Sequence, residues 1–435
     1  MSALAERNGE RAGLVALTLV LALGLGLRLH EAWDGRDPVF DAAAYAKIAA
    51  NLDCGDGFTV GPTATQPSSS YSPGVPLLVA GVYELTGGVH ERTARIALAL
   101  IGTLSALFAY AIGRRLSGPL AGLIGAGAVA IYPALLEYQG MLMGEPLAAT
   151  LLSGAVLAVL WAQGPAVSAR GLIPGALFGC LILVRPEYLG VVLLVSLVVL
   201  AKDWRDDWRR ALAAALILLA GAAVVVVPWT VRNAVALDRV VPVSTGGGQV
   251  LFAGTYLPSD GDPERVGVEV VERHPELFGP RAMEKLRLEQ ILARLAGQRY
   301  PGVETDKALS RMGREQLWDD VSEEPAEYAG FVAKKVGRIW SHGPRDVMHE
   351  PGWELFHWLL LGFGLVGMVV LARQRRWEAL LLATILVAIT AVSALLVASP
   401  RRVLVMMPLV SALAGVGVAY LLARRRRTTE RLTHS

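Results

Sequence analysis

The sequence predicts an all-α, polytopic membrane protein with about ten transmembrane helices and two large extracytoplasmic loops that contain juxtamembrane helices. Three observations lead there. Of 435 residues, 54% are hydrophobic and only 18% charged, against about 25% charge in an ordinary soluble domain. Apolar runs recur that approach the roughly 20 residues needed to cross a bilayer. Basic residues, finally, gather in alternate connections between those runs.

The expected spans are 12–30, 92–113, 119–136, 145–163, 171–184, 187–201, 210–228, 353–371, 377–397 and 403–422. The fifth and sixth, either side of Arg185-Pro186-Glu187, are short and expected to tilt or to continue past the polar break. The first span lacks a small-residue cleavage site and is read as a retained anchor. Arg114-Arg115, Arg170, Lys202 with Arg205, Arg209 and Arg210, Arg373 with Arg375 and Arg376, and Arg424–Arg427 all fall on one side, together with Arg7 and Arg11. Positive loops are cytoplasmic, so both termini are expected in the cytoplasm of a multi-pass plasma-membrane protein.

Four regions follow. Residues 1–229 form an N-terminal core that includes a first outer loop, 31–91. Residues 230–352 form a loop subdomain, with helices expected near 281–297, 306–320 and 325–340. Residues 353–423 hold the last spans, and 424–435 a basic cytoplasmic tail. Val75–Leu85 is too short to cross and is expected at the interface. Cys54 and Cys180 have neither metal-type spacing nor a shared setting, so no disulfide is expected.

The outer face collects the chemistry. Charges this near hydrocarbon are costly and often functional. Asp41 opens an expected helix, 41–52, on which Asp41, Tyr45 and Ile48 share a face. It reads either as a helix cap, a frequent use of aspartate, or as a general base. Arg185 is a planar donor suited to phosphate, or the partner of Glu145 or Glu187. Arg232, in Pro228-Trp229-Thr230-Val231-Arg232-Asn233, is one of these outer-face charges and could serve simply as an interfacial anchor beside Trp229. Lys335 falls inside the apolar stripe Tyr328, Phe331, Val332, Val336, Ile339, where it needs a partner, a ligand anion or a route to the headgroups. Lys47, Glu137, Arg401 and Arg402 complete the set.

Other signals are weaker. Asp260-Gly261-Asp262 reads as a solvated turn. Gly246-Gly247-Gly248 follows no clear strand, opens no clear helix and is not taken as a nucleotide loop. The seven histidines show no ligand spacing. No metal ligand is assigned; Glu137, Glu145 and Glu187 leave room for a divalent cation, with ion pairs the favoured use.

Phe40-Asp41-x3-Tyr45-x2-Ile48-Ala49-x-Asn51-Leu52, Gly57-Phe58 and Tyr71-Ser-Pro73-Gly74-x-Pro76 resemble the first outer loop of GT-C glycosyltransferases. The closer resemblance is to the bacterial family-39 and Rgt-like group, relatives of protein O-mannosyltransferases and of the lipid A aminoarabinose transferase. Gly144-Glu145, Arg185-Pro186-Glu187, Pro228-Trp229-Thr230-x-Arg232-Asn233, Glu324-Pro325-x2-Tyr328 to Lys335-x4-Trp340, and Pro400-Arg401-Arg402-x5-Pro408 fit the same group. The chain departs from it at Ala42, where many relatives have a second acid, and at Arg402, where they often have tyrosine.

The resemblance implies an inverting transfer of a sugar from a polyprenyl-phosphate donor to an acceptor hydroxyl at the extracytoplasmic face. Asp41 would be the base. Tyr45, Lys47, Tyr71, Glu145, Arg185, Glu187, Arg232, Lys335, Arg401 and Arg402 would bind substrate. The partners implied are that donor, a glycan, lipid or protein acceptor, and the bilayer; nucleic acid is not expected. A transporter or flippase for a lipid-linked glycan is the alternative, disfavoured because charges sit at span ends and no repeat is visible. An O-antigen-ligase-like or polymerase-like enzyme is the nearest enzymatic rival.

Overall fold

The computed structural model describes residues 2–61, 66–162, 169–279, 282–341 and 346–433. Every regular element among them is helical, and the chain is a multi-pass membrane protein. It divides into two compact units: Met1–Val243 with Gly343–Val387 and Leu404–Ser435, and Ser244–His342 with Ala388–Val403.

The first unit begins with α1 (Ser2–Trp33), α2 (Asp41–Asp53), α3 (Gly74–Thr86), α4 (Glu91–Ser117), α5 (Pro119–Ile131), α6 (Pro133–Glu137), α7 (Glu145–Trp161), α8 (Leu172–Val184), α9 (Tyr188–Asp203) and α10 (Trp208–Leu237). One helix break falls at a proline and is repaired from another helix. Pro133 has no N–H and parts α5 from α6, a bend of 55°. That missing donor would strand the carbonyl of Val129. Arg28, fully buried on α1, supplies the replacement: Nη2 donates to Val129 O at 2.9 Å, while Nη1 reaches Ala130 O at 3.3 Å and Gly24 O at 3.0 Å. A lone arginine inside a span thereby mends a broken one. Nearby, the Tyr132 hydroxyl meets His357 Nδ1 at 2.9 Å, both side chains buried.

The second unit holds α11 (Gly247–Thr255), α12 (Arg265–Arg273), α13 (Ala282–Lys285), α14 (Leu288–Arg299), α15 (Thr305–Glu323) and α16 (Pro325–Ser341). It has its own core, built from Phe252, Val266, Val270, Ile291, Leu292, Leu295, Leu309 and Met312. The helices expected at 306–320 and 325–340 are α15 and α16. That expected at 281–297 starts on a residue outside those described, and α13 and α14 occupy the rest. Gly246-Gly247-Gly248 does open a helix, α11, contrary to expectation. Its signal lies 58 residues away: the Gly248 amide donates to Asp306 Oδ1 at 2.8 Å. Asp260 is not merely solvated either, since it pairs with Lys334 at 2.7 Å.

The chain ends with α17 (Pro351–Arg373), α18 (Trp377–Leu395) and α19 (Arg401–Thr433). All ten expected spans coincide with helices; among the described residues six helices are long and apolar enough to cross, or seven with the bent pair α5–α6 counted as one. The other three, α7, α8 and α9, have 17, 13 and 16 residues, at or below the short end of the roughly 17–25 of a full crossing. The expected tail, 424–435, continues α19 as helix to Thr433, beyond which the chain is outside the described residues.

Candidate active site

The first unit assembles one polar cluster, and its helix ends explain why. Asp41 is the first residue of α2, and Phe40, at φ 50°, is the N-cap. Asp41 therefore does not occupy the cap position. Its carboxylate stands in the first turn, where the helix dipole favours negative charge. Ala42, Ala46, Ile48 and Ala49 bury one side of the helix, and Asp41 and Tyr45 lie half-buried at its edge. Lys47 points away from that packed side and is exposed.

Tyr71 reaches Tyr45 through a tightly packed joint. A Cβ on Gly74 would stand 2.5 Å from Val184 Cγ2 and 2.9 Å from the Val184 amide nitrogen. Only glycine lets the start of α3 press against the end of α8 in this way. Gly144 closes the same joint, with Val184 and Val75 at 3.2 and 3.3 Å from its would-be Cβ. Three chain segments therefore meet where Tyr71, Glu145 and Arg185 emerge. The Tyr45 and Tyr71 rings stand edge to face, centroids 5.9 Å apart and planes at 84°, a favoured aromatic geometry.

Arg185 ends α8, and Pro186 prevents that helix from continuing. A cation at a helix C-terminus is favoured by the dipole, as is an acid at an N-terminus. Glu145 starts α7 and Glu187 caps α9. Arg185 Nη2 donates to Glu145 Oε1 at 2.7 Å, and Nη1 lies 3.6 Å from Glu187 Oε1. Glu145 is fully buried, and its Oε2 accepts no hydrogen bond among the described residues. Burial lowers the Arg185 pKa, but Glu145 and then Glu187 outweigh it and leave the net shift upward. Burial and then the Asp41 charge raise the Tyr45 phenol, Arg185 acting in the opposite sense. Asp41, Tyr45, Tyr71, Glu145, Arg185 and Glu187 thus form one electrostatically linked group.

Other expected ligands are engaged differently. Arg232 donates to Ser68 O at 2.8 Å and Phe58 O at 3.3 Å, and to Asn233 Oδ1 at 3.0 Å. In the second unit, Lys335 is buried rather than reaching outward. Its Nζ donates to Gly254 O and Leu396 O, each at 2.6 Å, and lies 4.9 Å from the Phe331 ring centre. Burial and then Arg402 lower its pKa to about 7. Arg401 and Arg402 open α19, both half-buried. Among the described residues, no three His, Cys, Asp or Glu side chains converge as a metal ligand set. Glu137 instead lies 3.6 Å from Arg36. Sequence reasoning missed Arg28 and Arg95, the latter donating to Ala32 O at 3.1 Å. A basic residue in or beside an apolar run was the available signal.

Residues 67–231 match the family model described as dolichyl-phosphate-mannose-protein mannosyltransferase. No curated protein matches the chain in sequence. Among solved structures, the apo oligosaccharyltransferase of Archaeoglobus fulgidus superimposes with a TM-score of 0.59 and 15% identity, covering 97% of this chain and 52% of that one. The same organism's AglB, in complex with an inhibitory peptide and a dolichol-phosphate, gives 0.57 and 14%, covering 98% and 52%. ArnT from Cupriavidus metallidurans, bound to undecaprenyl phosphate, gives 0.41 and 18%, covering 93% and 77%. The chain spans about half the length of the oligosaccharyltransferases it matches. Its fold is that of GT-C membrane glycosyltransferases.

Proposed function

We propose that the protein is an inverting glycosyltransferase that moves a sugar from a polyprenyl-phosphate donor to an acceptor hydroxyl at the extracytoplasmic face, with both termini cytoplasmic. The observation that carries this reading is the group around Arg185: its guanidinium is held by Glu145 and Glu187 inside the stretch the family model matches, with the Tyr45–Tyr71 pair in its electrostatic reach and Asp41 one turn before Tyr45 on α2. Asp41 takes the proton of the acceptor hydroxyl. The freed oxygen attacks the anomeric carbon on the face opposite the phosphate, the carbon–oxygen bond to phosphate breaks, and the polyprenyl phosphate leaves with the electron pair. Arg185 meets the charge that grows on that phosphate, an electrostatic role. Glu145 and Glu187 fix its guanidinium, and the edge-to-face tyrosines bound the sugar. Arg401 and Arg402, in the other unit, are proposed as anion-binding residues in their own right. The dolichol-phosphate of the Archaeoglobus complex supports the donor class.

The test is transfer from a panel of labelled polyprenyl-phosphate sugars by purified protein, wild-type against Asp41→Asn. A positioned base contributes about 10²–10⁴-fold, so the variant should lose that much kcat with its fold intact. Undiminished transfer by Asp41→Asn would reject Asp41 as the base.

A further inference from the structure

We infer that Arg232 is a positioning residue that clamps the neck of the first outer loop, so that Tyr71 meets Tyr45 beside Asp41; its part in catalysis rests on the transferase reading above. The loop closes on itself where the Ser68 amide donates to Phe58 O at 2.9 Å. Arg232 binds both sides of that neck, Nη1 to Ser68 O and Nη2 to Phe58 O. Its guanidinium also lies against two rings, 5.4 Å from the centre of Phe58 and 4.9 Å from that of Trp229. Those rings meet each other edge to face at 4.9 Å. Carbonyls thus take the edge of the fork while aromatic rings pack on the guanidinium, an arrangement suited to arginine and not to lysine.

The neighbouring motif residues serve the same end. Trp229 Nε1 donates to Val243 O at 2.8 Å, Thr230 Oγ1 to Pro242 O at 2.8 Å, and Asn233 Nδ2 to the carbonyls of Val241 and Val243, each at 3.0 Å. These bonds fix the strand of chain after α10 and hold the end of that helix as a rigid anchor. From the other side, Asn51 on α2 donates to Thr59 O and Thr59 Oγ1 at 3.0 and 2.9 Å. The neck is therefore tied both to α10 and to the helix that begins with Asp41. Tyr71 follows the neck by three residues, with Ser69 buried between them. A neck that slips carries Tyr71 off Tyr45. Misplacement on the scale of 1 Å can cost about 10²-fold in rate.

Two measurements decide this. The first is amide hydrogen exchange across residues 66–72 in purified wild-type and Arg232→Lys protein, which needs no substrate. Faster exchange in the variant is expected; unchanged exchange overturns the clamp. The second is steady-state transfer. Arg232→Lys should lower kcat by about 10²-fold with donor KM unchanged, and should add nothing to Tyr71→Ala, as coupled residues do in a double-mutant cycle. A raised donor KM with kcat retained would overturn the inference and make Arg232 a phosphate ligand. Should the lysine variant misfold, Phe58→Leu removes one ring and should speed exchange over the same residues. If the wild-type transfers no sugar from any donor in the panel, the transferase reading fails while the exchange comparison still decides the clamp.

Discussion

Replacing Lys335 with methionine distinguishes two opposite uses of a buried lysine. Nζ donates to Gly254 O in the last turn of α11, where carbonyls lack helical donors, and to Leu396 O, which follows α18. A neutral amine keeps two hydrogens, enough for both carbonyls. Burial, with the Arg402 charge second, lowers the pKa from 10.5 to about 7, a preference for the neutral form of about 5 kcal/mol at 1.36 kcal/mol per pH unit. Above pH 7 the folded chain has released this proton while the unfolded chain still binds it. Stability therefore rises with pH up to 10.5, by about 2.7 kcal/mol between pH 6 and 9. Lys335→Met strands two carbonyls, at about 1–3 kcal/mol each, and removes the titration. The penalty should be about 2–6 kcal/mol at pH 9 and smaller by about 2.7 kcal/mol at pH 6 and below. Thermal unfolding of detergent-purified wild-type and variant at pH 6, 7 and 9 measures it, and Arg402→Gln should move the change to higher pH. A penalty that grows on acidification would refute the reasoning, because that is the signature of a lysine held charged by an anion.

Glu145→Ala should destabilise the protein by about 3–5 kcal/mol, because it leaves the Arg185 guanidinium without its 2.7 Å partner; unfolding temperature reports this, and Glu145→Gln, which keeps an acceptor, should cost less. Gly74→Ala should separate α3 from the end of α8, costing about 1–3 kcal/mol through overpacking and lowering kcat at unchanged expression; a variant with wild-type turnover would show that the joint does not set the site.

Much of the architecture was legible because its causes are local. Apolar runs, prolines and the Asp41 and Pro325 helix starts are written in adjacent residues, and α2, α15 and α16 fall where periodicity puts them. The tyrosine pair was legible only as two residues of one motif region, since the contact depends on Gly74 meeting Val184. The remainder depends on partners distant in sequence. Arg28 answers a carbonyl freed by Pro133, and α11 is started by Asp306 from 58 residues away. Span length was less legible than span position: α7, α8 and α9 are as apolar as the other expected spans yet shorter, with 17, 13 and 16 residues at about 1.5 Å each.

The cations themselves sort by what accepts their hydrogens. Arg28, Arg95, Arg232 and Lys335 donate to main-chain carbonyls, groups with fixed positions and no other role. An incoming phosphate would have to break bonds that hold the backbone before it could bind these residues. Arg185 instead rests on two side-chain carboxylates, one of them at 3.6 Å, with its side chain partly exposed at the end of a helix. Its charge is held in place by acids rather than by the backbone. Within the first unit, Arg185 is therefore the cation proposed to meet the donor phosphate. Arg185→Lys, which keeps the charge but loses the fork, should accordingly impair transfer far more than stability.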